Sequence, residues 1–347
     1  MLSLVLSLGL AWQSVSPEVV AHVKAGMAAQ KAGHLDDAIN EFQKVTELVP
    51  TLPAAFVNLG AAYMQERDYG AAIAPLRKSL ELKPDLIGAQ QMLGYALLSE
   101  GYSAEAIPYL ESAHVQDALG IAQVRIGKFT DAIRNLTAAL QQHPNDPELL
   151  YYLGRAAGLL SKEANDTLEE KYPDSARAHQ ALAENYAVLR QVPEGEKNYL
   201  AAIEAEPEAR GVHLALGQLY AQAADWTKAE EQFRVETKLQ PGDAESAYWL
   251  GSSLLEAGKL KEARAELERA DRLRPGMPET LYALGKADSL NGNPSGAQAA
   301  WTKLLSLENS GSLAAQAHFG LAALYRKQGK SAEAAREMEE YKRLQRW

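Results

Sequence analysis

Apolar and small residues recur along this chain with a spacing of 34 residues. The clearest mark is a Leu-Gly pair, found at Leu59-Gly60, Leu93-Gly94, Leu119-Gly120, Leu153-Gly154, Leu216-Gly217, Leu250-Gly251 and Leu284-Gly285. Three variants of the pair complete ten units: Ala25-Gly26, Leu182-Ala183 and Leu321-Ala322. Six of the nine steps between successive small residues equal 34. Self-similarity at one fixed period indicates an array of repeats rather than a few globular domains.

Each unit predicts two antiparallel helices. A second small residue follows the first by twelve positions in every unit except the fifth: Ala38, Ala72, Ala106, Ala132, Gly195, Ala229, Ala263, Ala297 and Ala334. Small residues on both helices allow a close approach, and the Leu and Tyr positions fill the seam. Glycines are expected at the turn between the helices, where φ is positive: Gly33, Gly101, Gly127, Gly258, Gly292 and Gly329. Proline then closes six units, because it cannot donate the next helical hydrogen bond.

With these residues the chain resembles the tetratricopeptide repeat family from about Pro17 to Trp347. The resemblance implies an all-α fold, a right-handed superhelical α-solenoid of tandem antiparallel helix pairs. About ten repeats would occupy residues 17–347. It also implies a concave groove lined by the first helix of each pair, in which extended or helical peptides bind.

The repeat is irregular in two places and ends in an apolar helix. A step of 26 residues shortens the chain near 111–117, and a step of 29 residues crosses 158–175. A C-terminal helix is expected at 333–347, with an apolar stripe made by Met338, Tyr341, Leu344 and Trp347. This stripe either covers the last seam or forms a dimer or partner contact.

The N-terminal residues 1–16 resemble a signal peptide. A Leu-rich run ends in small residues, with Gly9 and Ala11 spaced for cleavage before Trp12, although a charged start is missing. We therefore expect export to the periplasm or cell envelope. The alternative is a cytoplasmic protein in which this run is a short apolar helix over the first repeat. The run is too short to span a bilayer, and no other segment approaches that length.

Composition and motifs argue against most other functions. The net charge of −10 gives no general attraction for nucleic acid or anionic lipid, and the absence of cysteine excludes disulfides and thiolate chemistry. Four histidines share one phase of the repeat and have no second ligand at i+3 or i+4, so we interpret them as packing residues: His22, His179, His213 and His318. No phosphate-binding loop, nucleophile elbow or metalloprotease motif is present, and we expect neither catalysis nor a cofactor or metal.

The candidate site is the groove that the resemblance implies. Its groove-facing positions correspond here to Asn58, Tyr95, Arg125, Tyr151, Tyr152, Arg155, Tyr248, Trp249, Tyr282 and Lys286. Tyr and Trp are typical of binding hot spots, although some of these rings could instead pack against the next repeat. The resulting hypothesis is a scaffold that binds protein or peptide partners. The alternative is a structural component of the cell envelope that self-associates into a homo-oligomer through its C-terminal helix.

Overall fold

The computed structural model describes residues 16–345, and this part of the chain consists of nineteen α-helices without strands. The signal-like segment, except for Ser16, and the terminal Trp347 lie outside the described residues. The chain divides into two compact units, Met1–Ala164 and Asn165–Trp347. The ninth helix begins in the first unit and ends in the second.

The first unit contains four helix pairs and most of the ninth helix. Its helices are α1 (Pro17–Ala32), α2 (Leu35–Leu48), α3 (Pro53–Glu66), α4 (Tyr69–Leu82), α5 (Ile87–Ser99), α6 (Ser103–Ser112), α7 (Gln116–Arg125), α8 (Phe129–Gln142) and α9 (Pro147–Lys171). Within each pair, two or three residues connect helices that pack directly on each other. Helices α2, α4 and α6 also pack on the first helix of the following pair.

The second unit contains five helix pairs with the same packing. Its helices are α10 (Ala176–Val188), α11 (Val192–Ala205), α12 (Val212–Gln222), α13 (Trp226–Leu239), α14 (Ala244–Glu256), α15 (Leu260–Leu273), α16 (Pro278–Leu290), α17 (Pro294–Leu307), α18 (Gly311–Lys327) and α19 (Ser331–Leu344). The prediction of tandem helix pairs is confirmed. The last helix begins two residues before the expected residue 333.

One contact holds each pair together. The small residue of the first helix lies under a large side chain that is sixteen residues further along, on the second helix. A Cβ atom added to Gly60 would lie 2.6 Å from Leu76, and one added to Gly217 would lie 2.5 Å from the ring of Phe233. The same pairing joins Gly26 to Phe42, Gly94 to Leu110, Gly120 to Leu136, Gly251 to Leu267 and Gly285 to Trp301. A side chain on the first helix would therefore push the two helices apart.

The turns between paired helices adopt the left-handed backbone that the glycines predict. The six predicted glycines have φ between 73° and 87°. Three turns reach the same conformation without glycine, at Arg67, Arg190 and Ala224, with φ of 67°, 57° and 58°. For residues with a Cβ this conformation costs roughly 1–2 kcal/mol. The turn is therefore imposed by packing of the two helices, and glycine only lowers its cost.

The fifth unit differs from a helix pair, because α9 runs through 25 residues without a turn. Ser161 stands where other units have the turn glycine, and Asp166 stands where they have the small residue of the second helix. A second helix that placed Asp166 in the seam would bury a carboxylate, which is costly without a partner. A Cβ at Gly154 of α9 would have open space around it.

The shortened step near 111–117 is accommodated by shorter helices. Helices α6 and α7 have ten residues each, whereas the other second helices have fourteen and the other first helices have eleven or more. Only the three residues between Ser112 and Gln116 connect them. The seam of both pairs survives, since Leu110 and Leu136 remain fully buried. The 26-residue step therefore shortens helices and linker without removing a pair.

A buried carboxylate caps one first helix of the second unit. Glu236 of α13 is fully buried and accepts hydrogen bonds from the backbone N–H groups of Gly211, at 2.9 Å, and Leu214, at 3.1 Å. Gln240 donates a third hydrogen bond to it, at 2.5 Å. These N–H groups belong to the N-terminus of α12, which receives no side-chain cap from Gly211 itself. The negative charge also suits the positive end of the helix dipole.

The seam contact predicts that the same substitution, glycine to alanine, has opposite effects on stability at two positions. Gly217→Ala should destabilise the chain by about 1–3 kcal/mol, because the rigid ring of Phe233 cannot make room for a methyl group. Gly154→Ala should raise stability by up to about 1 kcal/mol, since alanine is the better helix former and the site is open. Thermal unfolding followed by circular dichroism measures both. Equal melting temperatures for the two variants would contradict the proposed role of the seam.

Removal of the Glu236 cap should lower stability locally. Glu236→Ala should destabilise α12 by about 2 kcal/mol, because it leaves buried N–H groups without an acceptor. Glu231→Ala, an exposed change on the same helix, should stay within about 0.5 kcal/mol of the unchanged protein. Hydrogen exchange of the Val212–Gln222 amides tests this. Unchanged exchange in the Glu236 variant would show that the cap is dispensable.

Candidate functional site

The first helices of successive pairs lie side by side. In the first unit α3 contacts α5 and α5 contacts α7, and in the second unit α10, α12, α14, α16 and α18 contact one another in order. Residues at the same phase of successive first helices therefore form rows across several repeats. The candidate groove residues belong to such rows, which we describe separately for each unit.

Two candidates in the first unit bond to the neighbouring repeat. The hydroxyl of Tyr95 on α5 donates to the carboxylate of Asp117 on α7, with both oxygens at 3.1 Å. Burial, followed by the charge of Asp117, raises the pKa of Tyr95. Arg125 of α7 donates from Nη1 to the backbone carbonyl of Leu98 at 2.8 Å. Both side chains therefore stabilise the contact between the first helices α5 and α7. Asn58, on α3, is half-buried.

Three candidates lie together on α9. The rings of Tyr151 and Tyr152 are 5.3 Å apart in an edge-to-face arrangement. Tyr152 packs against the apolar cluster that contains Ala139 and Leu149. Tyr151 is 60% exposed, and Arg155 is exposed as well. Tyr151 and Arg155 are therefore the candidates of the first unit that present the most free surface.

In the second unit, Trp249 belongs to the core as much as to the surface. Its ring stacks on Phe233 at 5.9 Å, and Phe233 is the side chain that fills the seam over Gly217. Tyr248 meets Trp249 edge-on at 5.4 Å. Trp249 thus extends the packing of α12 and α13 onto α14, and both Tyr248 and Trp249 are half-buried against this core.

Helices α14 and α16 are joined by charge as well as by packing. Lys286 of α16 donates to the carboxylate of Glu256 of α14 at 2.5 Å. Burial raises the pKa of Tyr248, and the negative charge of Glu279 on α16 raises it further. Tyr282 of α16 is partly exposed and packs at the edge of the apolar cluster around Trp301.

The structure adds one aromatic residue to the row. Phe319 of α18 is 50% exposed and precedes Ala322 by three residues, as Tyr282 precedes Gly285 and Tyr248 precedes Gly251. Its ring lies 5.2 Å from that of Tyr341. Counting back three residues from each small position would have found it. We call Tyr248, Tyr282 and Phe319 the aromatic row of the second unit.

The C-terminal stripe faces its partner helix. Met338, Tyr341 and Leu344 are all half-buried on α19, and Tyr341 contacts Phe319 on α18. Tyr341 therefore packs within the last helix pair. Trp347, the fourth member of the stripe, lies outside the described residues.

Three of the four histidines that share one repeat phase form hydrogen bonds within their helix pairs, whereas the buried Nδ1 of His179 has no hydrogen-bond partner. His22 bonds to Glu41 at 2.6 Å, and His318 bonds to Glu337 at 2.6 Å. His213 bonds to Gln232 at 2.7 Å. Each partner is nineteen residues further along, on the second helix. Within residues 16–345, no group of three or more His, Asp or Glu side chains is arranged to hold a metal ion. The same residues include no helix that is long and apolar enough to cross a membrane.

Comparison with known proteins identifies related sequences. The family model for the tetratricopeptide repeat matches residues 23–87, 118–176, 181–244, 214–278 and 282–345. Bacteriophage adsorption protein A of Escherichia coli K12 is 34% identical over 82 residues, which is 24% of this chain and 8% of that protein. DnaJ homolog subfamily C member 3 of Rattus norvegicus is 29% identical over 92 residues, 26% of this chain and 18% of that protein. The matches thus span only a small part of either relative.

Solved structures include proteins of similar architecture. MamA from Desulfovibrio magneticus RS-1 has a TM-score of 0.47 and 19% identity, covering 49% of this chain and 95% of that one. Yeast Tom70 has a TM-score of 0.43 and 16% identity, and the match covers 94% of this chain and 92% of that one. YrrB, described as a TPR protein with an unusual peptide-binding site, has a TM-score of 0.46 and 17% identity. The match covers 52% of this chain and 92% of that one. The family model alone matches well over half of the chain. This chain therefore belongs to the tetratricopeptide repeat family.

Proposed function

We propose that this protein is a non-catalytic scaffold that binds a protein or peptide partner on the shared face of its first helices. The observation that carries the proposal is the aromatic row of the second unit. Tyr248, Tyr282 and Phe319 stand on three adjacent first helices, and each keeps part of its ring exposed although the seams beneath are filled by other side chains. Partly exposed aromatic rings in a row offer contact area at little entropic cost, and the two tyrosines add a polar hydroxyl.

The row is more informative than the other candidates. Tyr95, Arg125 and Trp249 already bond or stack within the repeat array, so their loss would affect stability first. Tyr151 and Arg155 on α9 form a smaller exposed surface in the first unit. We include that surface, together with Asn58, as a secondary contact.

The cellular location is part of the proposal. The Leu-rich segment at 1–16 supports export to the periplasm or cell envelope, where the partner would then be found. A cytoplasmic location remains the alternative. Fractionation of cells that express the full chain, with mass spectrometry of its N-terminus, decides between them: cleavage before Trp12 supports export, and an intact Met1 in the cytoplasm contradicts it.

Affinity capture tests the scaffold function. Capture from the native organism with the full chain should recover a partner that is lost with the double variant Tyr248→Ala, Tyr282→Ala. The matched control is Tyr102→Ala, Tyr172→Ala, which removes two exposed tyrosines outside the first-helix face. Trp249 is left intact, because its removal would disturb Phe233. Circular dichroism verifies folding. Recovery of identical proteins with all three forms would refute the aromatic row as the binding surface.

Self-association through the C-terminal helix is the second candidate. The observation that favours it is the contact of half-exposed Phe319 with Tyr341 at the end of the last pair, where two copies could share rings. Light scattering of the full chain should then give a multiple of 37.7 kDa that falls to the monomer mass in the Phe319→Ala variant. A monomer mass for the unchanged chain at micromolar concentration excludes this candidate.

A further inference from the structure

A short acidic and aromatic motif recurs in the first helices. The pattern Glu-x-x-Tyr-x-Leu-Gly occurs at 148–154, 245–251 and 279–285. In the copies at 245–251 and 279–285 the Gly belongs to the seam and the Leu is buried, but the Glu and Tyr lie outside the seam. Two copies stand on α14 and α16, which contact each other directly in the second unit. The repeat architecture therefore brings two carboxylates and two phenol rings to one surface.

Helix geometry places these four side chains together. Residues three apart on a helix share a face, so Glu245 lies beside Tyr248 and Glu279 lies beside Tyr282. The charge of Glu279 on α16 also reaches Tyr248 on α14, where it adds to the effect of burial and raises the pKa of that phenol. We call Glu245, Tyr248, Glu279 and Tyr282 the acidic aromatic surface.

The two carboxylates of this surface have no cationic partner within the described residues. Glu245 accepts a hydrogen bond from the uncharged amide of Gln218 at 3.2 Å, and Glu279 is exposed. Several other carboxylates of the unit do have cationic partners. Glu230 pairs with Lys259 and Arg234, Glu256 pairs with Lys286, and Asp271 pairs with Lys303. Glu245 and Glu279 thus place two carboxylates without cationic partners beside the half-buried rings of Tyr248 and Tyr282.

We propose that the acidic aromatic surface binds a basic segment of a protein partner, with one Lys or Arg side chain paired to Glu245 and a second paired to Glu279. The inference rests on the proposed scaffold function and names its partner class. The carboxylates supply opposite charge, and the tyrosine rings attract the same cations through their quadrupole and cover the aliphatic stems. An acidic segment would be repelled, and a neutral one would leave both charges uncompensated.

The helix spacing also sets the spacing of the basic residues. Packed helices lie about 8–10 Å apart. A polyproline II segment rises about 3.1 Å per residue with three residues per turn, so side chains three apart point the same way at a distance of roughly 9 Å. The partner segment should therefore carry two basic residues three positions apart in an extended conformation.

Fluorescence anisotropy with synthetic peptides tests this on the full chain. Three labelled peptides share one neutral background and carry two lysines three positions apart, two lysines two positions apart, or two glutamates three positions apart. The first should bind most tightly and the glutamate peptide should not bind. The double variant Glu245→Gln, Glu279→Gln should weaken the affinity for the first peptide by at least about tenfold.

A charge-matched control separates this site from general attraction to an acidic chain. Glu231→Gln, Glu339→Gln makes the same change in net charge on exposed positions of second helices, and should leave affinity within about twofold. Equal weakening by both double variants would overturn the inference. So would equal affinity for both lysine spacings, or failure of the unchanged chain to bind either lysine peptide.

A random peptide library distinguishes this inference from the scaffold function on which it rests. Enrichment of basic sequences that lose binding in the Glu245→Gln, Glu279→Gln variant supports both. Enrichment of neutral or acidic sequences that lose binding in the Tyr248→Ala, Tyr282→Ala variant overturns the inference of a basic partner but supports the scaffold function. Failure to enrich any sequence counts against both.

Discussion

The rest of this structure depends on a contact between a residue without a side chain and a large side chain sixteen positions later. At Gly217 and Phe233, for example, the helix backbone itself is the surface on which the ring packs. The contact brings the two helices of a pair close together and fixes their register. The first helix then uses other faces to pack on the preceding second helix and on neighbouring first helices. The pairing of helices therefore follows from this one contact.

The large residue of this contact varies more than the small one. Leucine occupies the position in four of the glycine units, and Phe42, Phe233 and Trp301 occupy it in the others. The size of the side chain at this position determines how far it extends beyond the seam. Phe233 extends far enough for Trp249 of the next repeat to stack on it. The choice of residue in one seam therefore influences the surface of the following repeat.

Much of the fold could be predicted from sequence because the period, the small residues and the turn glycines are local signals. The cap at Glu236 could not, because it depends on packing between residues that the repeat pattern does not relate. The left-handed turns at Arg67, Arg190 and Ala224 stand seven residues after the small position, as the turn glycines do, but no glycine marks them. The candidate site was predicted by position alone. Position could not show that Tyr95 and Arg125 bond to the neighbouring repeat. Phe319 was missed although it stands three residues before Ala322, the same place that Tyr248 and Tyr282 occupy in their repeats.

The turns without glycine also affect how this array opens. Arg67, Arg190 and Ala224 hold a backbone conformation that is unfavourable for their side chains, whereas the glycine turns are relaxed. In repeat proteins each pair contributes its own stability, so strain in one turn is not shared evenly along the chain. Local opening should therefore begin at these three hairpins, long before the whole array unfolds. A protease or chaperone that samples brief openings would meet the same three segments first, and their position is set by the absence of glycine.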